Sequence, residues 1–209
     1  MFFSMQPQGL LSCYKENCVE AGLDEAGRGC LAGPVTAAAV ILPEGFFHPL
    51  LNDSKKLTEA QRDELRIVVE ESSLAWEVSF VSHEEIDKVN ILNASFIAMN
   101  NALERLTLKP HHIIVDGNRF RFYTKETVPY TCIVKGDGKY ASIAAASILA
   151  KTHRDEYMKR IHSEYPVYDW ESNKGYPTQS HRKGIKEFGI SPFHRRTFAL
   201  LDEQLDLFE

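Results

Sequence analysis

Residues 22 to 42, GLDEAGRGCLAGPVTAAAVIL, limit what this chain can fold into more than any other stretch. A strand-like segment over 19–24 runs into two adjacent carboxylates, Asp24 and Glu25, and the glycine-rich Gly27-Arg28-Gly29 follows. The β-branched and alanine-rich run at 35–42 then reads as a second strand at hairpin-length spacing. Further strands are expected at 75–81, 111–116 and 130–135. Thr58-x-x-Gln61 and Ser82-x-x-Glu85 have the capping-box pattern that opens helices. Helical spacing predicts helices over 91–106, 140–164 (the longest), 179–188 and 196–206, with loop between 166 and the third of these. Strands come early and helices late, which asks for a mixed sheet with helices packed on it and a helical C-terminal lobe.

No repeat or Pro/Gly/Ser-rich linker divides the 209 residues, so one substantial core is expected over 19–165. Around it come an N-terminal extension at 1–18, a lobe at 166–200 and a tail at 201–209. The longest apolar run, 35–42, is far short of the roughly 20 residues of a membrane span. The N-terminus lacks the basic region and cleavage site of a secretory signal, and the four cysteines show no zinc-like spacing. The expectation is a cytoplasmic protein with reduced thiols and no membrane partner, monomeric by default. The net charge of -5 is unevenly spread: residues 1–110 carry -7, 111–196 carry +6 and 197–209 carry -4. The later region therefore has the charge to meet phosphates, although clustered lysines also occur as a merely solvated face.

Gly27-x-Gly29 after a strand invites a dinucleotide-binding reading, but that motif needs its glycines to open a helix. Here a proline and a second strand follow. The adjacent carboxylates are better explained by a divalent cation, because two acids at a strand end repel one another and are costly to bury without a counter-charge. Mg²⁺ prefers hard oxygen ligands. Asp116 in IIVDGN and Asp137 in VKGDGKY supply two further acids at element boundaries, enough for a two-metal site. For Asp137 a turn-forming role is an equal alternative. Asp155 lies 18 residues beyond Asp137, about 27 Å along a continuous helix, so both cannot serve one cluster. Asp137 is favoured, leaving Asp155 as a surface or ion-pair residue. Glycines flanking Arg28 let the backbone approach a ligand while the guanidinium grips phosphate.

These motifs together resemble the ribonuclease HII (type 2 ribonuclease H) family. They are DEAGRGCLAGPV, DSKKLT at 53–58, VDGN at 115–118, KGDGKYASIAAASILAK at 135–151, RD at 154–155, KGYPTQSH at 174–181 and HRRTF at 194–198. The resemblance implies an α/β, ribonuclease H-like mixed sheet flanked by helices. It implies an endonuclease that hydrolyses the RNA strand of RNA–DNA hybrids and cuts 5′ to single ribonucleotides in duplex DNA, leaving 3′-hydroxyl and 5′-phosphate ends. By motif position Asp24, Glu25, Asp116 and Asp137 would bind two Mg²⁺ or Mn²⁺ ions. Gly27, Arg28 and Gly29 would read the ribose 2′-hydroxyl, and Tyr176 would pack on the neighbouring sugar at an RNA-to-DNA junction. Lys55, Lys56, His181 and Arg182 would contact substrate. Two other readings compete: a ribonuclease H preferring longer hybrids, and a catalytically silent nucleic-acid-binding module.

The tail carries Gln204-Leu205-Asp206-Leu207-Phe208, which resembles the peptide by which bacterial replication and repair proteins dock on the sliding clamp. A last helical turn packing Leu205 and Phe208 on the body is the equal alternative.

Overall fold

The computed structural model describes residues 9–51, 57–123 and 127–201. Five strands, β1 (Glu20–Ala26), β2 (Val35–Ile41), β3 (Ala75–Val81), β4 (His112–Asp116) and β5 (Tyr130–Ile133), form one sheet in the order β3-β2-β1-β4-β5. β1, β2 and β3 pair antiparallel, whereas β4 joins β1 and β5 joins β4 in parallel. This is the expected mixed sheet. β1 runs two residues further than its apolar pattern suggests, because Asp24, Glu25 and Ala26 still pair with Ala38, Ala37 and Thr36.

The helices are α1 (Glu59–Ser72), α2 (His83–Val89), α3 (Ile91–Arg105), α4 (Ala141–His162), α5 (Trp170–Asn173) and α6 (Gln179–Phe188). Thr58 closes a full capping box with Gln61, and the Ser82 side chain accepts from the Glu85 N–H. α3 covers one sheet face, where Leu23, Ala37, Ala39, Ile113 and Val115 meet Ala98, Met99 and Ala102. α4 lies on the other, with Ala145, Ala146 and Leu149 against Ala38 and Val40. Its first three turns are buried on all sides, because α1 covers its outer surface through Leu65 and Ile148.

The C-terminal region packs on the end of α4, around Trp170, Tyr168, Met158 and Ile185. It differs from the sequence pattern in two places. Pro166–Tyr168 forms a 3-10 turn and α5 a short helix where only loop was expected. No helix forms over 196–201; the remainder of the expected 196–206 helix lies outside the described residues. The Asp87 carboxylate accepts from the backbone N–H groups of Arg196 and Thr197, and Arg182 donates to the carbonyl of Leu200. Backbone groups that helical propensity assigns to a helix are taken by side chains from elsewhere in the fold.

Candidate active site

Because side chains alternate along strands, Asp24 and Asp116 fall on the α4 face at the carboxyl ends of the adjacent parallel strands β1 and β4. They line a cleft of about 260 Å³ with Glu25, Gly27, Arg28, Gly29, Arg62, Ser147, Lys151 and Tyr176. A cavity of about 290 Å³ at the opposite end of the strands contains Glu20, but that carboxylate is already held by His112 and by the backbone N–H groups of Tyr14 and Lys15.

The cleft acids repel one another. Burial raises the Asp24 carboxyl well above the usual carboxylate range, and the charges of Glu25 and Asp116 add to the rise; a hydrogen bond from Ser147 and the Glu25 N–H oppose it. Asp116 Oδ1 accepts from the Gly136 N–H at 2.7 Å, which ties β4 to the 3-10 turn Gly136–Gly138. Glu25 Oε1 meets Arg28 Nη1 at 3.1 Å. Crowded carboxylate oxygens whose charges repel one another fit a divalent cation, a hard ion that prefers oxygen donors. Among the described residues no three acids, histidines or cysteines are grouped closely enough to hold a metal ion by themselves. An ion that keeps several waters accepts such an arrangement.

The remaining expected residues fall in different surroundings. Asp137 is buried in the turn beside Gly136 but does not line the cleft. Asp155, expected as a surface or ion-pair residue, is buried and pairs with Lys151 at 2.6 Å. Tyr176 faces the cleft, its ring centre 5.6 Å from Lys151 Nζ and 5.9 Å from Arg154 Cζ. His181 is wholly buried, so the expected direct substrate contact is not open to it; its ring nitrogens meet Trp170, His194 and the Tyr176 carbonyl. Arg182 is half-buried, and one of its guanidinium nitrogens donates to Leu200. Lys55, Lys56 and residues 204–208 lie outside the described residues.

Sequence reading missed Arg62, Ser147 and Lys151. The signal was there: Ser147, Lys151 and Asp155 recur at i, i+4 and i+8, a polar stripe along an otherwise alanine-rich helix. Burial pulls the Lys151 ammonium below its usual range, and Asp155 offsets this only in part.

The family model for ribonuclease HII matches residues 21–201. The chain belongs to the ribonuclease HII family. Members are metal-dependent endoribonucleases. The chain is 61% identical over 200 residues to the ribonuclease HII of Bacteroides fragilis (strain YCH46), covering 95% of this chain and 98% of that one. Among solved structures it is similar to the ribonuclease H2 of Pyrococcus horikoshii OT3, with 28% identity and a TM-score of 0.72 over 87% of this chain and 94% of that one. It is also similar to the ribonuclease HII in a PCNA complex from Archaeoglobus fulgidus, with 27% identity and a TM-score of 0.69 over 90% and 98% of the two chains. The mixed five-stranded sheet and helical C-terminal region agree with that family's fold. No helix among the described residues is long and apolar enough to cross a membrane.

Proposed function

We propose that this endoribonuclease hydrolyses the RNA strand of RNA–DNA hybrids and cuts on the 5′ side of a ribonucleotide embedded in duplex DNA, leaving 3′-hydroxyl and 5′-phosphate ends. The observation that carries this reading is one cleft lined by Asp24, Glu25 and Asp116 together with the Gly27–Gly29 turn and Tyr176. Bound Mg²⁺ or Mn²⁺, two ions in this reading, would supply an activated water and neutralise charge on the departing 3′-oxygen.

The chain's own groups do the rest. Asp24, Glu25 and Asp116 would hold the metal, and Asp137, buried in the neighbouring turn, would complete the acidic set. Ser147 orients the Asp24 carboxylate, and Gly136 fixes Asp116. Among the described residues the Gly29 N–H has no protein acceptor, which leaves it available to a ribose 2′-hydroxyl. Arg28, and the cleft residues Arg62 and Lys151, grip backbone phosphates; Lys55 and Lys56 contact the flanking strand. Tyr176 presents a ring to the sugar beyond the ribonucleotide. The lobe at 166–200 carries that tyrosine and packs against the core at 19–165.

Cleavage of a DNA duplex carrying one ribonucleotide tests this, with an all-DNA duplex and Asp116→Asn as controls. A metal-dependent cut 5′ to the ribonucleotide, absent from both controls, is expected. Cutting of long hybrids alone would keep the metal site and remove the 2′-hydroxyl role of the glycine turn. No cleavage by folded protein would favour a silent binding module.

Docking on a sliding clamp through Gln204-Leu205-Asp206-Leu207-Phe208 is a second reading, supported by the tail's sequence and by the similar archaeal protein's complex with PCNA. Clamp binding that survives deletion of 204–209 would dispose of it.

A further inference from the structure

His181 and His194 form a buried pair behind the Tyr176 loop, and their protons can be assigned from partners with fixed roles. Trp170 Nε1–H can only donate, and it lies 2.9 Å from His181 Nε2. That nitrogen therefore accepts, and the His181 proton sits on Nδ1. Nδ1 is 2.9 Å from the carbonyl oxygen of Tyr176, which can only accept. On His194, Nδ1 accepts from the Ser191 N–H at 2.9 Å, so its proton is on Nε2. That Nε2–H lies 3.1 Å from His181 Nε2 and shares its single in-plane lone pair with the Trp170 N–H. Both rings are neutral, and all four ring nitrogens are used.

The same loop is held from other directions. The Tyr176 carbonyl also accepts from the Thr178 N–H at 2.8 Å, and the Tyr176 N–H donates to the Asn173 carbonyl at 2.9 Å. Asn173 Oδ1 accepts from the Gly175 N–H at 2.8 Å. Thr178, which caps α6, accepts from the His181 N–H and so ties the start of that helix to the loop. The ring of Tyr176 projects from this anchored backbone into the cleft, while His181 and Trp170 behind it are fully buried.

We infer that His181 is a positioning residue for substrate selection: its Nδ1–H fixes the Tyr176 carbonyl, and Trp170 with His194 fixes the tautomer that makes this bond possible. The inference rests on the reading of Tyr176 as the residue that packs on the sugar at an RNA-to-DNA junction. His181 touches no substrate itself.

Two substitutions divide the ring between them. His181→Asn carries its amide at the Nδ1 position, so it keeps a donor for the Tyr176 carbonyl and gives up the acceptor used by Trp170 and His194. His181→Gln reaches the Nε2 position, so it keeps that acceptor and gives up the Tyr176 bond. The measurement is kcat/KM on a duplex with one ribonucleotide divided by kcat/KM on a uniform RNA–DNA hybrid, with melting temperature recorded alongside. His181→Gln is expected to lower this ratio roughly tenfold, within the cost of misplacing a positioning group by about an ångström. His181→Asn is expected to melt lower yet keep a ratio near that of the unaltered protein. A His181→Gln ratio equal to the unaltered protein's, or equal losses on both substrates in both variants, would overturn the inference. Tyr176→Ala tests the underlying reading separately: if it leaves the ratio unchanged, Tyr176 does not select the junction and the inference falls with it. If it lowers the ratio while His181→Gln does not, only the role of His181 is lost. Nitrogen-15 spectra of the unaltered protein give a test independent of variant folding. Near neutral pH, His181 should show the Nδ1–H tautomer and His194 the Nε2–H tautomer; the reverse assignment for His181 would overturn the inference.

Discussion

Arg154 and Arg195 meet on a single backbone oxygen: Arg154 Nε donates to the Pro34 carbonyl at 2.9 Å, and Arg195 Nη2 donates to the same atom at 3.0 Å. Both side chains are fully buried, and among the described residues neither has a carboxylate within ion-pair distance. Arg154 also serves the carbonyls of Lys174 and Ala32, and Arg195 those of Gly33 and Arg28. The two guanidiniums thus tie the 28–34 turn to α4 and to the Tyr176 loop through carbonyl dipoles alone. Burial first, and then the Arg154 charge, pull the Arg195 guanidinium down to about 10.

Arg195→Lys should therefore be costly despite keeping the charge. One ammonium cannot reach three carbonyls laid out for a planar fork, and each buried acceptor left unpaired costs about 1–3 kcal/mol. The expected loss is about 2–4 kcal/mol, read as a lower urea midpoint with an unchanged m-value. A midpoint within experimental scatter of the unaltered protein would show that the fork is not needed.

The acids of the cleft were legible in the sequence because strand periodicity and apolar runs place Asp24 and Asp116 at strand ends. The long central helix was legible from its alanine-rich run. The interior of the C-terminal region was not, because its order comes from side chains answering backbone groups far away in sequence. Asp87 takes the N–H groups of Arg196 and Thr197, and Arg195 reaches Gly33, 162 residues away. The resemblance made His181 a substrate contact, and a polar residue five positions after a tyrosine gives no sign in one dimension that it faces inward.

The histidine pair predicts an acid-side loss of stability. Burial first, and then the neighbouring His181, hold His194 down at about 4. An unfolded histidine titrates near 6.5, so the unfolded state takes up the proton first as pH falls. The contribution is complete above about 6.5 and is lost progressively down to about 4, for a total of about 3 kcal/mol. Around the pair, Asp169 favours protonation of His181 while Arg182 opposes it, and His83 opposes protonation of His194. Urea unfolding near pH 7 and near pH 5 should differ by about 2 kcal/mol more in the unaltered protein than in His194→Asn, which cannot titrate. Equal pH dependence in the two proteins would rule the pair out as the source.

The acidic cleft makes an opposite prediction for metal-free protein. Asp24 is raised, so its charged form is disfavoured in the folded state: the destabilisation appears as pH rises above the normal carboxylate range and is absent where both states are protonated. Asp24→Asn removes one repelling charge at nearly constant shape. In chelator it should melt above the unaltered protein. Added Mg²⁺ should then raise the melting temperature of the unaltered protein and leave the variant nearly unchanged, with cleavage lost in the variant. A variant that melts lower in chelator would mean that Asp24 is held by compensating contacts.

Gly27 and Gly29 should separate fold from substrate within one turn. Gly27 has φ +90°, and a Cβ there would lie 2.0 Å from Arg154 Nε, which three carbonyls hold in place. Gly27→Ala is therefore expected to cost about 2 kcal/mol or more in stability and to lower cleavage as a consequence. At Gly29 a Cβ would meet nothing within 4 Å, and the backbone is outside the left-handed region. The fold gives no reason for glycine at this position; the proposed approach of a sugar to the Gly29 N–H would give one. Gly29→Ala should melt within about 0.5 kcal/mol of the unaltered protein. It should also lose affinity for a duplex with one ribonucleotide, measured with Ca²⁺ in place of Mg²⁺, more than for an all-DNA duplex. Equal loss on both duplexes would make Gly29 a general backbone contact, and no loss on either would leave the 2′-hydroxyl to be read elsewhere.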